Sequence, residues 1–84
     1  MPSIHLRFFA SIREAVGHGS EDWQTTAVDL AGLRDELIAR GAPYATCLAR
    51  GRAVRMAVNQ AMCDETQVIA AGAEVAFFPP VTGG

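Results

Sequence analysis

From Ser3 to Phe9 apolar and polar side chains alternate, with Ile4, Leu6 and Phe8 in one register and His5, Arg7 and Phe9 in the other. A period of two predicts a half-buried strand, because successive side chains on extended backbone point to opposite faces. The period changes at Ala10. Ile12, Ala15 and Val16 fit one side of a short helix, and Gly17 supplies its stop. Gly17-His18-Gly19-Ser20 reads as a turn, followed by a short second strand over Glu21 to Thr25, centred on Trp23. Asp29 is placed to cap the main helix, since its side chain can accept an otherwise orphaned N–H of the first turn. Leu30, Leu33, Leu37 and Ile38 then recur as an amphipathic stripe, and Gly41 and Pro43 end it. Pro43 to Ala49 predicts a further helical turn. Val54, Met56 and Val58 alternate into a third strand that stops at an Asn59-Gln60 turn. Glu74 to Phe78 is the last strand, with Val75 and Phe77 on one face and Ala76 and Phe78 on the other.

This order of elements predicts an α+β fold, one main helix packed on one face of a sheet. Ile4, Leu6, Phe8, Leu33, Leu37, Val54, Met56, Val58, Val75 and Phe77 form one consistent core. The same assignment leaves Phe9 and Phe78 on the face that no helix covers. If the first and last strands are neighbours, their rings make an exposed apolar patch, and on a small domain such a cluster marks a partner surface.

The 84 residues allow one domain, over 1–78, followed by an extended tail over 79–84. Pro79 and Pro80 have no N–H to continue a ladder, and they fix their own φ angles. Gly83 and Gly84 carry no Cβ, so this tail can thread a narrow active site and present a carboxylate there. A formal charge of −2 argues against a general nucleic-acid binder. All seven basic residues are arginine. Cys47 and Cys63 form no CxxC pair, no signal peptide is evident, and Glu74 interrupts the longest apolar run. Reduced thiols, no membrane span and a cytoplasmic location are the expectation.

LRFFASIREAVG at 6–17, AVNQ at 57–60 and GAEVAFFPPVTGG at 72–84 resemble the small-subunit family of molybdopterin synthase, the ubiquitin-like sulfur carriers of molybdenum-cofactor synthesis. The resemblance spans essentially the whole chain, and its C-terminal block is highly specific. It implies a β-grasp fold, a mixed sheet wrapped on the main helix with first and last strands adjacent. It also implies a chemistry: the Gly84 carboxylate is adenylated with ATP by an E1-like enzyme, and a sulfur donor protein converts it to a thiocarboxylate. The tail then delivers sulfur to cyclic pyranopterin monophosphate inside the large synthase subunit. Two small and two large subunits form the heterotetramer. The chain itself binds no cofactor, and the general acids and bases belong to the large subunit.

Residue by residue, the resemblance makes Gly84 the reacting residue and Gly83 its unhindered neighbour. Val81 and Thr82 line the tunnel or act as a spacer, while Pro79 and Pro80 stiffen the tail and reduce the entropy lost on threading. Phe9, Met62 and Phe78 match the family's apolar docking surface, with Met62 equally placed as satellite core. Arg13, in the matching RE dipeptide, meets an acidic partner patch or lies on a solvated helix face. Arg50, Arg52 and Arg55 read as a solvated loop. Cys47 and Cys63 are expected to be unreactive, because neither has a sequence-adjacent cation to lower its pKa. His5 and His18 lack company at metal-ligand spacing. The rival readings are a carrier of the same chemistry for thiamine or amino-acid biosynthesis, a protein modifier joined through Gly84, and a pure interaction module. The short helix in the FFASIREAVG block argues against the thiamine carrier.

Overall fold

The computed structural model describes residues 3–80. Alternation at the N-terminus becomes strand β1 (Ser3–Phe8), in which Ile4, Leu6 and Phe8 are buried and the residues between them are not. Phe9 leaves the strand as the extended N-cap of helix α1 (Ala10–Val16), one residue earlier than its alternation predicts. Gly17 closes α1 at φ 94°, a left-handed conformation that costs a glycine nothing, and its N–H returns to the Arg13 carbonyl at 2.9 Å. Strand β2 (Ser20–Gln24) follows, shifted one residue toward the N-terminus from its expected span.

Asp29 caps α2 (Leu30–Ile38) as its side chain predicts, accepting the Gly32 N–H at 2.9 Å. Leu30, Leu33 and Leu37 are fully buried against the sheet. The helical turn expected over 43–49 is the shorter α3 (Tyr44–Cys47). The third strand is β3 (Arg55–Val58), and an unforeseen β4 (Ala61–Cys63) pairs with it across Asn59-Gln60. Both turn residues have positive φ, 51° and 70°, the twist a two-residue hairpin requires. Strand β5 (Glu74–Phe78) completes the sheet.

The sheet runs β2-β1-β5-β3-β4, with β1 parallel to β5 and every other pairing antiparallel. A mixed sheet around one main helix, with first and last strands adjacent, is the β-grasp arrangement expected above. Eight of the ten expected core residues are in the core. Val54 and Val58 only border it, while Ile12, Leu30, Tyr44, Cys47, Leu48 and Ala73 join it. Val81, Thr82, Gly83 and Gly84 lie outside the described residues.

Candidate functional site

Parallel pairing sets Phe8 beside Phe77 on the helix-covered face, so the next residues, Phe78 on β5 and Phe9 just past the end of β1, turn to the open one. The Phe9 N–H reaches the Phe77 carbonyl at 3.1 Å, which ties the end of β1 to the end of β5. The Phe9 and Phe78 rings meet edge to face, with centroids 6.1 Å apart. Such a geometry sets the positive edge of one ring against the negative face of the other. Ala10, at φ 52°, turns the chain sharply into α1 immediately after Phe9.

A groove of about 340 Å³ opens on this face. Phe9, Phe78 and Met62 form its apolar sides, Ala57 and Ala76 line it between them, and Arg7, Glu74 and Gln60 supply its polar part. Arg7 pairs with Glu74 at 3.0 Å and lays its guanidinium 5.5 Å from the Phe9 centroid. The pair is half-exposed, so it orients the groove more than it stabilises the fold. A second depression, about 410 Å³, continues from Phe9 and Phe78 past Ala10 to Pro79. The apolar surface thus runs without a break to the root of the tail.

Three of the four residues expected at a partner surface come together here. Phe9 is 39% exposed and Met62 58%, so Met62 belongs to the surface and not to a satellite core. Phe78 is half-buried between them. Arg13 does not line the groove: it is exposed on α1, its side chain lying along Gly19. Pro79 and Pro80 are both half-buried, and Pro79 lines the foot of the second depression.

The rest of the polar chemistry is spent on the body of the molecule. Glu36 on α2 accepts Trp23 Nε1 at 3.1 Å, the Thr25 hydroxyl at 2.6 Å, and both the N–H and hydroxyl of Thr26. Burial alone raises its carboxyl pKa, but these four donors outweigh burial and hold it below the ordinary value. Glu21 behaves likewise: burial raises it, and Tyr44, His18 and Arg40 together bring it lower than usual. The same burial and hydrogen bond push the Tyr44 phenol up to about 12. Cys47 sits in the core, where burial raises its thiol pKa, the opposite of what a reactive sulfur needs.

Arg50 lies in the exposed loop before β3, as expected, and from there it binds Asp35, Glu65 and the Ala31 carbonyl. Arg34, overlooked in the sequence, is buried on α2. The signal was present, since Arg34 lies at i+4 of the Leu30, Leu33, Leu37 stripe. Among the described residues no three of His, Cys, Asp and Glu converge as metal ligands, and no helix is long and apolar enough to cross a membrane.

The chain is 37% identical over 81 residues to the molybdopterin synthase sulfur carrier subunit of Escherichia coli (strain K12), covering 96% of this chain and 99% of that protein. It is 32% identical, with the same coverage, to the subunit of the same name from Haemophilus influenzae. Its fold recurs in a chain of the complex of subunits 1 and 2 of molybdopterin-converting factor from Helicobacter pylori, with a TM-score of 0.66 and 24% identity. That likeness covers 98% of this chain and 99% of the other. The model of the ThiS family matches residues 6–84, from within β1 through the groove strands to Gly84, and the chain belongs to that family.

Proposed function

We propose that this chain is the sulfur-carrier subunit of a molybdopterin synthase. The observation that carries this reading is the near-full-length similarity to two carriers of that name, together with a family match that runs to Gly84. The groove supports it, because a tail alone offers little surface for a partner to recognise. Phe9, Phe78 and Met62 dock the body on the large subunit, and Pro79-Pro80 direct the tail into its active site.

The chemistry follows from the weakness of a carboxylate as an electrophile. An E1-like enzyme joins the Gly84 carboxylate to the α-phosphate of ATP and releases pyrophosphate, which installs AMP as a good leaving group. Sulfide-level sulfur from a donor protein attacks the acyl carbon, displaces AMP and leaves a thiocarboxylate on Gly84. Within the synthase that sulfur passes to cyclic pyranopterin monophosphate, and the dithiolene of the product consumes two loaded carriers. This chain acts as a tethered, positioned co-substrate. Gly83, with no side chain, lets the terminus pass through the tunnel that Val81 and Thr82 contact. A heterotetramer of two small and two large subunits, acting in the cytoplasm, completes the reading. The small subunit brings no cofactor of its own.

Intact-mass measurement after incubation with the activating enzyme, ATP and a sulfur donor tests the proposal. The expected product gains the mass difference of one oxygen-to-sulfur exchange at Gly84. Deletion of Gly84 abolishes both that product and synthase activity. No thiocarboxylate, full activity without Gly84, or covalent adducts to other proteins in its place would overturn it.

A further inference from the structure

Arg34 occupies a position in the apolar stripe of α2 and is only 3% exposed. A charge buried this deeply is strongly destabilising unless its donors are satisfied. Here Nε donates to the Leu48 carbonyl at 2.7 Å. Nη2 donates to the Ala49 carbonyl at 2.7 Å and the Arg52 carbonyl at 3.0 Å. Nη1 reaches Glu65 Oε2 at 3.0 Å. These acceptors fall into two groups. Leu48, Ala49 and Arg52 lead into β3, and Glu65 follows the end of β4.

Both open ends of the β3–β4 hairpin are therefore fastened to one guanidinium. At the closed end, Asn59 exchanges hydrogen bonds with the backbone of Glu74, through its own N–H at 2.8 Å and its side-chain oxygen at 3.0 Å. Strand β4 is an edge strand with only β3 as its neighbour in the sheet. The residue it contributes to the groove is Met62. Arg50 reinforces the outer oxygen of Glu65 and reaches back to Ala31 and Asp35 on α2. A lysine cannot reproduce this bridge, because an ammonium is a point charge without the planar fork that serves separated acceptors.

We propose that Arg34 is a positioning residue for the docking groove: it sets the β3–β4 hairpin, and with it the Met62 side, from inside the core. Arg34 does not line the groove and acts through the strands that do. The Phe9–Phe78 pair rests on β1 and β5; β5 also carries β3 through the ladder from Arg55↔Phe78 to Val58↔Val75, so the bridge acts chiefly on the outer strand β4. Loss of the bridge should move one side of the groove and leave the other in place.

Two readouts on Arg34→Lys and Glu65→Gln test this, each variant first checked for folding by circular dichroism. The first is the 13C-methyl resonance of Met62, expected to shift in both variants while the ring resonances of Phe9 hold. The second rests on the docking reading and is a double-mutant cycle on affinity for the large subunit. Arg34→Lys is expected to weaken binding about tenfold, and to couple with Met62→Ala but add independently to Phe9→Ala. Unmoved Met62 resonances, or full additivity with Met62→Ala, would overturn the inference. If Arg34→Lys does not fold, Glu65→Gln, which removes one arm only, decides both readouts. Failure of the unaltered protein to bind the large subunit overturns the docking reading, while the methyl resonances still decide the position of the hairpin.

Discussion

Phe8 and Phe77 stack on the helix-covered face with ring centroids 6.0 Å apart, while Phe9 and Phe78, one residue further along, meet at 6.1 Å on the open face. Composition and ring spacing are nearly the same in the two pairs. Exposure is not: Phe8 and Phe77 are 1% and 0% exposed, against 39% for Phe9. Each pair is produced by the same pleat, so adjacent residues of one type acquire opposite duties. The inner pair ties β1 and β5 to the core with Tyr44 and Leu37. The outer pair adds little to that core and forms the groove that leads to Pro79. Identity of the side chain says nothing about the duty; parity along the strand does.

The sharpest way to break the comparison is to empty one site on each face. Phe77→Ala should lower unfolding free energy by about 3–5 kcal/mol in urea titration, because a fully buried ring leaves a cavity. In a small domain that is a large part of the total stability. A loss near 1 kcal/mol would show that the inner pair is not the structural one. Phe78→Asp should leave folding within about 1 kcal/mol of the original. Its affinity for the large subunit should fall by about 2 kcal/mol or more, the scale of a central interface residue. Unchanged affinity by calorimetry would remove the open face from the docking reading.

A smaller effect distinguishes the body from the groove by pH. Glu21 and Glu36 both hold pKa values below the ordinary carboxyl value of 4.5 in the folded chain. A lowered folded pKa means that the native state binds protons less tightly than the unfolded one. Their stabilisation is therefore complete above 4.5 and is lost as pH falls through the folded values. Glu36→Gln should flatten part of this acid limb in urea midpoints measured from pH 6 downward. Phe78→Asp should still show the contribution of Glu36. If Glu36→Gln keeps the original limb, its four donors do not govern acid stability.

Much of this was legible in the sequence because it depends on period alone. The alternation of Ile4, Leu6 and Phe8 and of Val75 and Phe77 placed the core faces, and Asp29 marked the start of α2. The open-face pair followed from the same alternation, once the first and last strands were taken as neighbours. Strand β4 was not legible: Ala61-Met62-Cys63 is too short to show alternation, and it exists because β3 offers it an edge to pair with. Val54 and Val58 had the right period for the core, but Val54 precedes β3 and Val58 ends it, and both are only partly buried against the core. Arg34 had the right position in the helix stripe but the wrong residue type. Its charge argued for the surface, and only tertiary acceptors at Leu48, Ala49, Arg52 and Glu65 make its burial tolerable.

By itself the sequence determined which residues share a face, where the main helix begins, and that Gly83-Gly84 follow two prolines. Those features are local, set by the geometry of a strand, a cap or a ring. Tertiary structure alone decided which strands became neighbours, so that Phe9 met Phe78 and Met62 joined them from a strand with little local preference of its own. It also decided that a buried guanidinium would hold the hairpin that carries Met62. Such pairings join residues distant in the chain, and only the folded sheet satisfies their hydrogen bonds and buries their apolar surface at the same time.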